Sequence, residues 1–238
     1  MNGPESRIDA IADDLYRIST PVGEDVVPGG FSFNQYLLVD DAPLVFHTGL
    51  RGIFEPVSRA IATVLPLERL RYIGFCHVEA DECGALNEFL EAAPQAQPLC
   101  GAVAAMTSIG DLAIRAPRVL TDGESLSLGR HVVQWIDAPH VPHGWDNGFL
   151  YEQTAGILFC GDLFTQAGSN RAPLADDVLD ASEQMRAGMD YFAHGDNTGP
   201  VLERLAGLQP QVLACMHGSA FRGDGGALLR ALRDRLAG

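Results

Sequence analysis

Apolar residues change their period several times along the chain, and each change marks an element. Asp14-Leu15-Tyr16-Arg17-Ile18 alternates polar with apolar, the pattern of a strand with one buried face. Residues 35–39 and 43–46 are apolar runs on either side of Asp40-Asp41, which reads as a turn. Phe54, Val57, Ile61 and Val64 then recur at helical spacing, predicting an amphipathic helix over 54–64. A buried strand at 71–76, a helix over 83–92, a short strand at 97–100 and a small-residue helix over 101–109 follow. The middle returns to strands: 118–120, 124–128 and 130–137, separated by Asp122-Gly123 and Gly129, read as a hairpin series. Runs 149–151 and 157–160 flank a Thr154-Ala155-Gly156 turn. The last third predicts two helical pieces between Asp177 and Ala193 and a helix over 200–208 opened by Pro200. A strand at 212–216 and a helix over 225–236 complete it. With no low-complexity linker between the two β-rich blocks, the pattern predicts one domain over 1–238. Two mixed sheets pack face to face in it, with helices on the outer faces.

Candidate chemistry gathers where strands are predicted to end. His77-Val78-Glu79-Ala80-Asp81, with Glu82 next, lies between the predicted strand at 71–76 and the helix at 83–92. In an open loop, side chains at i, i+2 and i+4 converge on one or two ions, whereas a helix splays those spacings apart. A charged helix start accounts for Asp81 and Glu82 through the dipole, but not for His77 and Glu79. Later segments repeat the arrangement. His140-Val141-Pro142-His143-Gly144-Trp145-Asp146 follows one predicted strand, Gly161-Asp162 another, and His217-Gly218 a third. Loops at one edge of a sheet are where a rigid scaffold presents a site.

Composition narrows the function classes. At 238 residues, 47% hydrophobic and 20% charged, the chain has material for a sizeable core. It has no run of 18 apolar residues to predict a transmembrane helix. Met1-Asn2-Gly3-Pro4-Glu5-Ser6-Arg7 lacks the basic-then-apolar pattern of a secretion signal, so a cytoplasmic location is expected. A net charge of −15 argues against nucleic-acid binding through a basic patch. Cys76, Cys83, Cys100, Cys160 and Cys215 form no C-x-x-C pair and read as reduced thiols. Cys76, Cys160 and Cys215 are expected to pack as small hydrophobes under the site. Neither G-x-G-x-x-G nor a Walker-type phosphate loop occurs.

Together these residues resemble the metallo-β-lactamase fold and, within it, the flavodiiron and oxygen-binding di-iron branch. The common hydrolase motif of the fold is H-x-H-x-D-H; here Glu79 stands at its second histidine, as in the di-iron branch. His143-Gly144-Trp145-Asp146-Asn147-Gly148-Phe149 aligns without gaps on that branch's H-W-P-D-x-x-F segment. Asp162 falls at the bridging aspartate and His217 at the final histidine, and the likeness runs from about Leu15 to Phe221. The resemblance implies an α/β fold, the αββα four-layer sandwich of the metallo-β-lactamase type. It also implies two iron ions, with zinc or manganese as substitutes. One metal would sit on His77, Glu79 and His143 and the other on Asp81 and His217, with Asp162 bridging. It further implies a homo-oligomer and a separate redox partner protein. The chain departs from the family at two places. Gly144-Trp145 replaces Trp-Pro, and Glu82 stands where the family has a histidine. Either Glu82 is an oxygen ligand or the second metal keeps an open or water-filled position. No flavodoxin-like domain follows, so no FMN is expected in this chain.

Other residues invite supporting roles. His140 is a candidate for an alternative ligand or a proton acceptor beside the site, and His47 lies at a strand end near it. Asp146 is placed to orient His143, Trp145 and Phe149 to pack or line a mouth, and Asn34 to open a strand or turn. Two functions follow. The first is a non-haem di-iron protein binding or reducing dioxygen or nitric oxide, with electrons from a separate donor, or acting as a sensor. The second is a dinuclear zinc hydrolase cleaving an ester, thioester or lactone. Glu79 favours the first, because a hard anionic oxygen in place of an imidazole suits iron.

Overall fold

The computed structural model describes residues 5–237, so five residues of the expected 1–238 span lie outside the description. Seven strands form the first sheet in sequence order: β1 (Arg7–Ala12), β2 (Leu15–Val22), β3 (Phe31–Leu38), β4 (Leu44–Phe46), β5 (Tyr72–Gly74), β6 (Gln97–Gly101) and β7 (Arg118–Leu120). β1 to β4 pair antiparallel, and β4 to β7 pair parallel. Each parallel step needs a crossover long enough to return the chain. α1 (Phe54–Ala62) supplies the first, α2 (Ala80–Cys83) with α3 (Leu86–Ala92) the second. The third is a helical run in three parts: α4 (Ala102–Ala104), a π-helical turn (Ala105–Ile109) and α5 (Gly110–Leu112).

The second sheet begins as an antiparallel meander of β8 (Ser125–Ser127), β9 (Val132–Asp137), β10 (Gly148–Glu152) and β11 (Ile157–Phe159). The two-residue β12 (Leu174–Ala175) lies at the far edge. The helices α6 (Leu179–Gly188) and α7 (Thr198–Gly207) then lead to β13 (Val212–Ala214), parallel to β11. β14 (Ala220–Arg222) and α8 (Gly225–Ala237) close the chain.

Strand alternation sorts the residues into layers. Leu44 and Phe46 join Trp135, Phe149 and Phe159 in the core between the sheets, while Val45 faces the other way, with Val57, Ile61 and Leu90. Because β4 is buried on both faces it reads as a continuous apolar run. Leu202, Leu205, Leu229 and Leu232 of α7 and α8 cover the second sheet. The result is the expected αββα sandwich. Trp135, 1% exposed, fills the space that Gly148 leaves open; a Cβ there would lie 2.2 Å from its ring.

Some boundaries differ from the sequence pattern. β1, β12 and β14 are unpredicted: β12 and β14 are too short to display a period, and β1 is interrupted by Asp9. The expected 83–92 helix starts at Ala80 instead and breaks at Gly84-Ala85 into α2 and α3. Between Asp177 and Ala193 there is one helix, α6, and not two. Asn34 lies inside β3, fully buried, not at a turn or strand start.

That placement of Asn34 ties the sheets together. Its side-chain amide donates to the carbonyls of Cys215 (3.0 Å) and Gly218 (2.8 Å) in the loop after β13. Arg17 of β2 donates to the Gly218 carbonyl at 2.6 Å, and the Tyr36 hydroxyl to Cys215 at 2.7 Å. Asn34→Ala should remove one of the two side-chain donors from each of these buried carbonyls and lower stability by about 1–3 kcal/mol. Urea unfolding checks this, and an unchanged midpoint would show that the seam holds without it.

Candidate metal centre

Four segments, each following a strand, deliver the candidate side chains to one edge of the sandwich. The loop after β5 carries His77 and Glu79. Glu79 is extended (φ −132°, ψ 157°) and immediately precedes α2, whose first turn holds Asp81 and Glu82. The loop between β9 and β10 carries His143, the turn after β11 Asp162, and the turn after β13 His217. Two glycines permit the close approach. Gly161 has a positive φ, and a Cβ on it would meet the Cys76 sulfur at 2.9 Å; one on Gly144, also at positive φ, would press the His77 ring at 3.3 Å.

The structure brings all six predicted ligand residues together. His77 Nε2 lies 3.4 Å from Glu79 Oε1 and 3.8 Å from Asp162 Oδ2. His143 Nε2 lies 3.4 Å from Glu79 Oε1 and 3.2 Å from Asp162 Oδ2. On the other side, His217 Nε2 is 3.1 Å from Asp162 Oδ1 and 3.4 Å from Asp81 Oδ2. Asp162 thus offers one oxygen to each side. Spacings of this size are what donors about 2 Å from a common centre leave between themselves. His77, Glu79, His143 and Asp162 each present a donor atom within 4.8 Å of the others. The buried His77 Nε2 and Asp162 Oδ1 have no hydrogen-bond partner. A mixed imidazole and carboxylate set with unpartnered buried atoms fits a first-row transition metal.

The second nitrogen of two of the imidazoles is engaged from behind. His143 Nδ1 donates to the Tyr191 carbonyl at 2.7 Å, and His217 Nδ1 to the Ser32 carbonyl at 2.9 Å. His77 Nδ1 faces Glu82 Oε1 at 3.3 Å. Such partners select the tautomer whose Nε2 is free for a metal. Tyr191 and Ser32 were not legible as site residues, since they act through backbone carbonyls that carry no side-chain signature. Phe31 packs against His217 with ring centroids 4.3 Å apart. A cleft of about 520 Å³ borders the cluster at Glu79, and none of the other five residues lines it.

The supporting residues are redistributed. Glu82 is fully buried and accepts from the backbone N–H groups of Cys76 (2.8 Å) and His77 (2.7 Å). It points behind the cluster because successive residues on a helix project about 100° apart, so Asp81 and Glu82 cannot both face the metals. Asp146 accepts from the Val78 N–H at 2.9 Å and thereby holds the His77 loop; it does not orient His143. His47 lies behind Glu82, 3.5 Å from its Oε1. His140 is exposed and outside the cluster. Phe149 is core, and Trp145 is 58% exposed. Cys76, Cys160 and Cys215 are buried, with the last two sulfurs 3.7 Å apart.

Charge is balanced within the cluster by protons when no ion is present. Burial disfavours the His77 imidazolium, but Glu82 and then Glu79 override it and push the group up to about 12. Hydrogen bonds to Asp162 and Glu79 push His143 up to about 10. For His217, burial is outweighed by Asp162 and Asp81, again giving about 10. Glu79 is held at about 2 by His143 and His77. Burial would raise Asp162, but His143 and His217 hold it far below the carboxylate range.

An ion must displace the Nε2 proton from each imidazole, so affinity should fall as pH drops and level off only above about pH 12, where the last of them, His77, is deprotonated. At pH 7.5, zinc loading of the ion-free chain should release about three protons, one from each raised imidazole. Calorimetry in buffers of different protonation enthalpy measures this, and zinc binding without proton release would exclude these imidazoles as ligands.

Known proteins share this arrangement of elements. The family model described as ODP family beta lactamase matches residues 31–218. A nitric oxide reductase of Moorella thermoacetica is 26% identical over 214 residues, covering 85% of this chain and 52% of its own length. A rubredoxin-oxygen oxidoreductase of Megalodesulfovibrio gigas is 28% identical over 214 residues, covering 84% and 52%. The chain therefore spans about half the length of these curated relatives. Among solved structures, the metal-soaked Flv1 flavodiiron core from Synechocystis sp. PCC6803 superposes with a TM-score of 0.85 at 22% identity. It covers 99% of this chain and 62% of that one. A fragment, residues 1–254, of diflavin flavoprotein A 5 from Nostoc sp. PCC 7120 gives 0.86 at 18% identity, covering 99% and 97%. These likenesses place the fold in the metallo-β-lactamase type of the flavodiiron cores. Among the described residues, no helix is long and apolar enough to cross a membrane.

Proposed function

The chain belongs to the ODP family of beta-lactamase proteins, and on that premise we propose that it is a non-haem di-iron protein that binds or reduces dioxygen or nitric oxide. The observation that carries this reading is the donor set. Three imidazole Nε2 atoms and the carboxylates of Glu79, Asp81 and Asp162 converge at one edge of the sandwich. His77, Glu79, His143 and Asp162 would hold one iron; Asp81 and His217, with the other oxygen of Asp162, would hold the second. Bound there, the pair would supply ferrous–ferric redox chemistry toward a diatomic gas. Three carboxylates stabilise the ferric state better than an all-imidazole set would. Asp162, with one oxygen toward each group of ligands, would serve both ions, and Phe31 packs on the His217 ring.

The names of two relatives, nitric oxide reductase and rubredoxin-oxygen oxidoreductase, support the choice of gases. The same reading takes electrons from a donor outside these 238 residues, a separate redox protein, and a homo-oligomer in the cytoplasm as the working form. With no donor the centre would serve as a sensor.

The test is anaerobic reconstitution with ferrous iron, followed by exposure to dioxygen or nitric oxide with a chemical reductant. Two irons per chain, a visible spectrum that changes on reduction and re-exposure, and sustained gas consumption are expected. An iron form inert to both gases, beside a zinc form that cleaves lactones or thioesters, would overturn the reading in favour of hydrolysis. Because one pocket has four protein donors and the other three, the metals should load in two steps, the weaker abolished by His217→Ala. Asp162→Ala should lose at least one metal equivalent by elemental analysis, and full stoichiometry in that variant would refute the bridge.

A further inference from the structure

We propose that Glu82 is a positioning residue for this centre: from behind the ligands, it fixes His77 in the tautomer whose Nε2 faces the metal. The proposal rests on the metal-centre reading above. The sequence leaves Glu82 as either a ligand or the mark of an open position, and the geometry gives it a different task. Its Oε2 is occupied by two backbone donors, Cys76 at 2.8 Å and His77 at 2.7 Å. Its Oε1 faces His77 Nδ1 at 3.3 Å and His47 Nε2 at 3.5 Å. Oε2 is thus satisfied by the backbone, Oε1 is a buried oxygen with no hydrogen-bond donor on it, and the residue is 0% exposed.

His77 Nδ1 has no hydrogen-bond partner either, so two unpartnered buried atoms, this nitrogen and Glu82 Oε1, face each other at 3.3 Å. His143 and His217 rest on neutral backbone carbonyls. His77 alone is backed by a carboxylate, which makes its imidazole the more basic donor of the three. The loop after β4 holds Glu82 in place. The Thr48 N–H donates to the Glu82 carbonyl at 2.7 Å, and the Ala85 N–H to the Thr48 hydroxyl at 3.1 Å. His47 sits in the left-handed region, φ 66°, with its own N–H bonded to Gly74. This backbone brings its ring beneath Glu82.

Glutamine is the informative replacement. Its carbonyl can still accept from the Cys76 and His77 N–H groups, so the loop keeps its support. Its amide NH₂ then faces His77 Nδ1, and a donor there drives the imidazole to the Nε2–H tautomer, which cannot ligate. A residue that merely braces the loop behaves differently. Asp146 braces the same loop through the Val78 N–H and has no histidine partner among the described residues, so Asp146→Asn is the control.

The experiment uses the full chain, ¹⁵N-labelled and loaded with zinc, with long-range ¹H–¹⁵N NMR to assign each imidazole tautomer. In the unmodified protein His77 should carry its proton on Nδ1. In Glu82→Gln that signature should be lost at His77 alone, with zinc affinity reduced about 10–100-fold, while Asp146→Asn keeps it. Wild-type affinity with an unchanged His77 tautomer in Glu82→Gln overturns the proposal. If Glu82→Gln does not fold, the unmodified protein decides: a His77 bare at Nδ1 overturns it, and a low-field Nδ1–H bonded to a carboxylate upholds it. Failure of the unmodified protein to bind zinc through these histidines would instead sink the metal-centre reading itself.

Discussion

One buried carboxylate joins the two halves of this molecule. Asp162 extends one oxygen toward His217 and the other toward His143 and His77, so it touches ligands presented by both sheets. Buried without positive charge around it, such a group would cost several kcal/mol. The cluster meets that demand with protons on imidazoles, and on the proposed reading cations would take their place. The same constraint explains why so many backbone groups point at the ligands. The Ser32 and Tyr191 carbonyls hold the far side of the His217 and His143 rings.

Much of this was readable from the residues. The layer order followed from apolar runs and turn residues, because strands buried on both faces and amphipathic helices have distinct periods. The six candidate ligands stood out because each lies just beyond an apolar run. What escaped prediction shares a physical cause. Ser32 and Tyr191 contribute through main-chain carbonyls, which every residue possesses. Asn34 looked like a turn residue, since a polar amide rarely sits deep in a strand, and its purpose appears only when the loop 181 to 184 residues later in the chain folds against it.

The hardest boundary was the start of α2, and it had the largest consequence. An open loop through Asp81 would have let Glu82 turn toward the metals. Because the helix begins at Ala80, Asp81 and Glu82 diverge. The alternation that seemed to feed ligands to both ions holds only for His77 and Glu79; Asp81 reaches the centre from the first turn of a helix.

The bond between Ser32 and His217 spans 185 positions of the chain. Contacts of such separation form late, since the loop entropy of closing them must be met before they stabilise anything. The centre is therefore assembled only once the first and last thirds of the polypeptide have docked. A nascent chain emerging from synthesis has β3 long before β13, so the candidate ligands meet only when the architecture around them is complete.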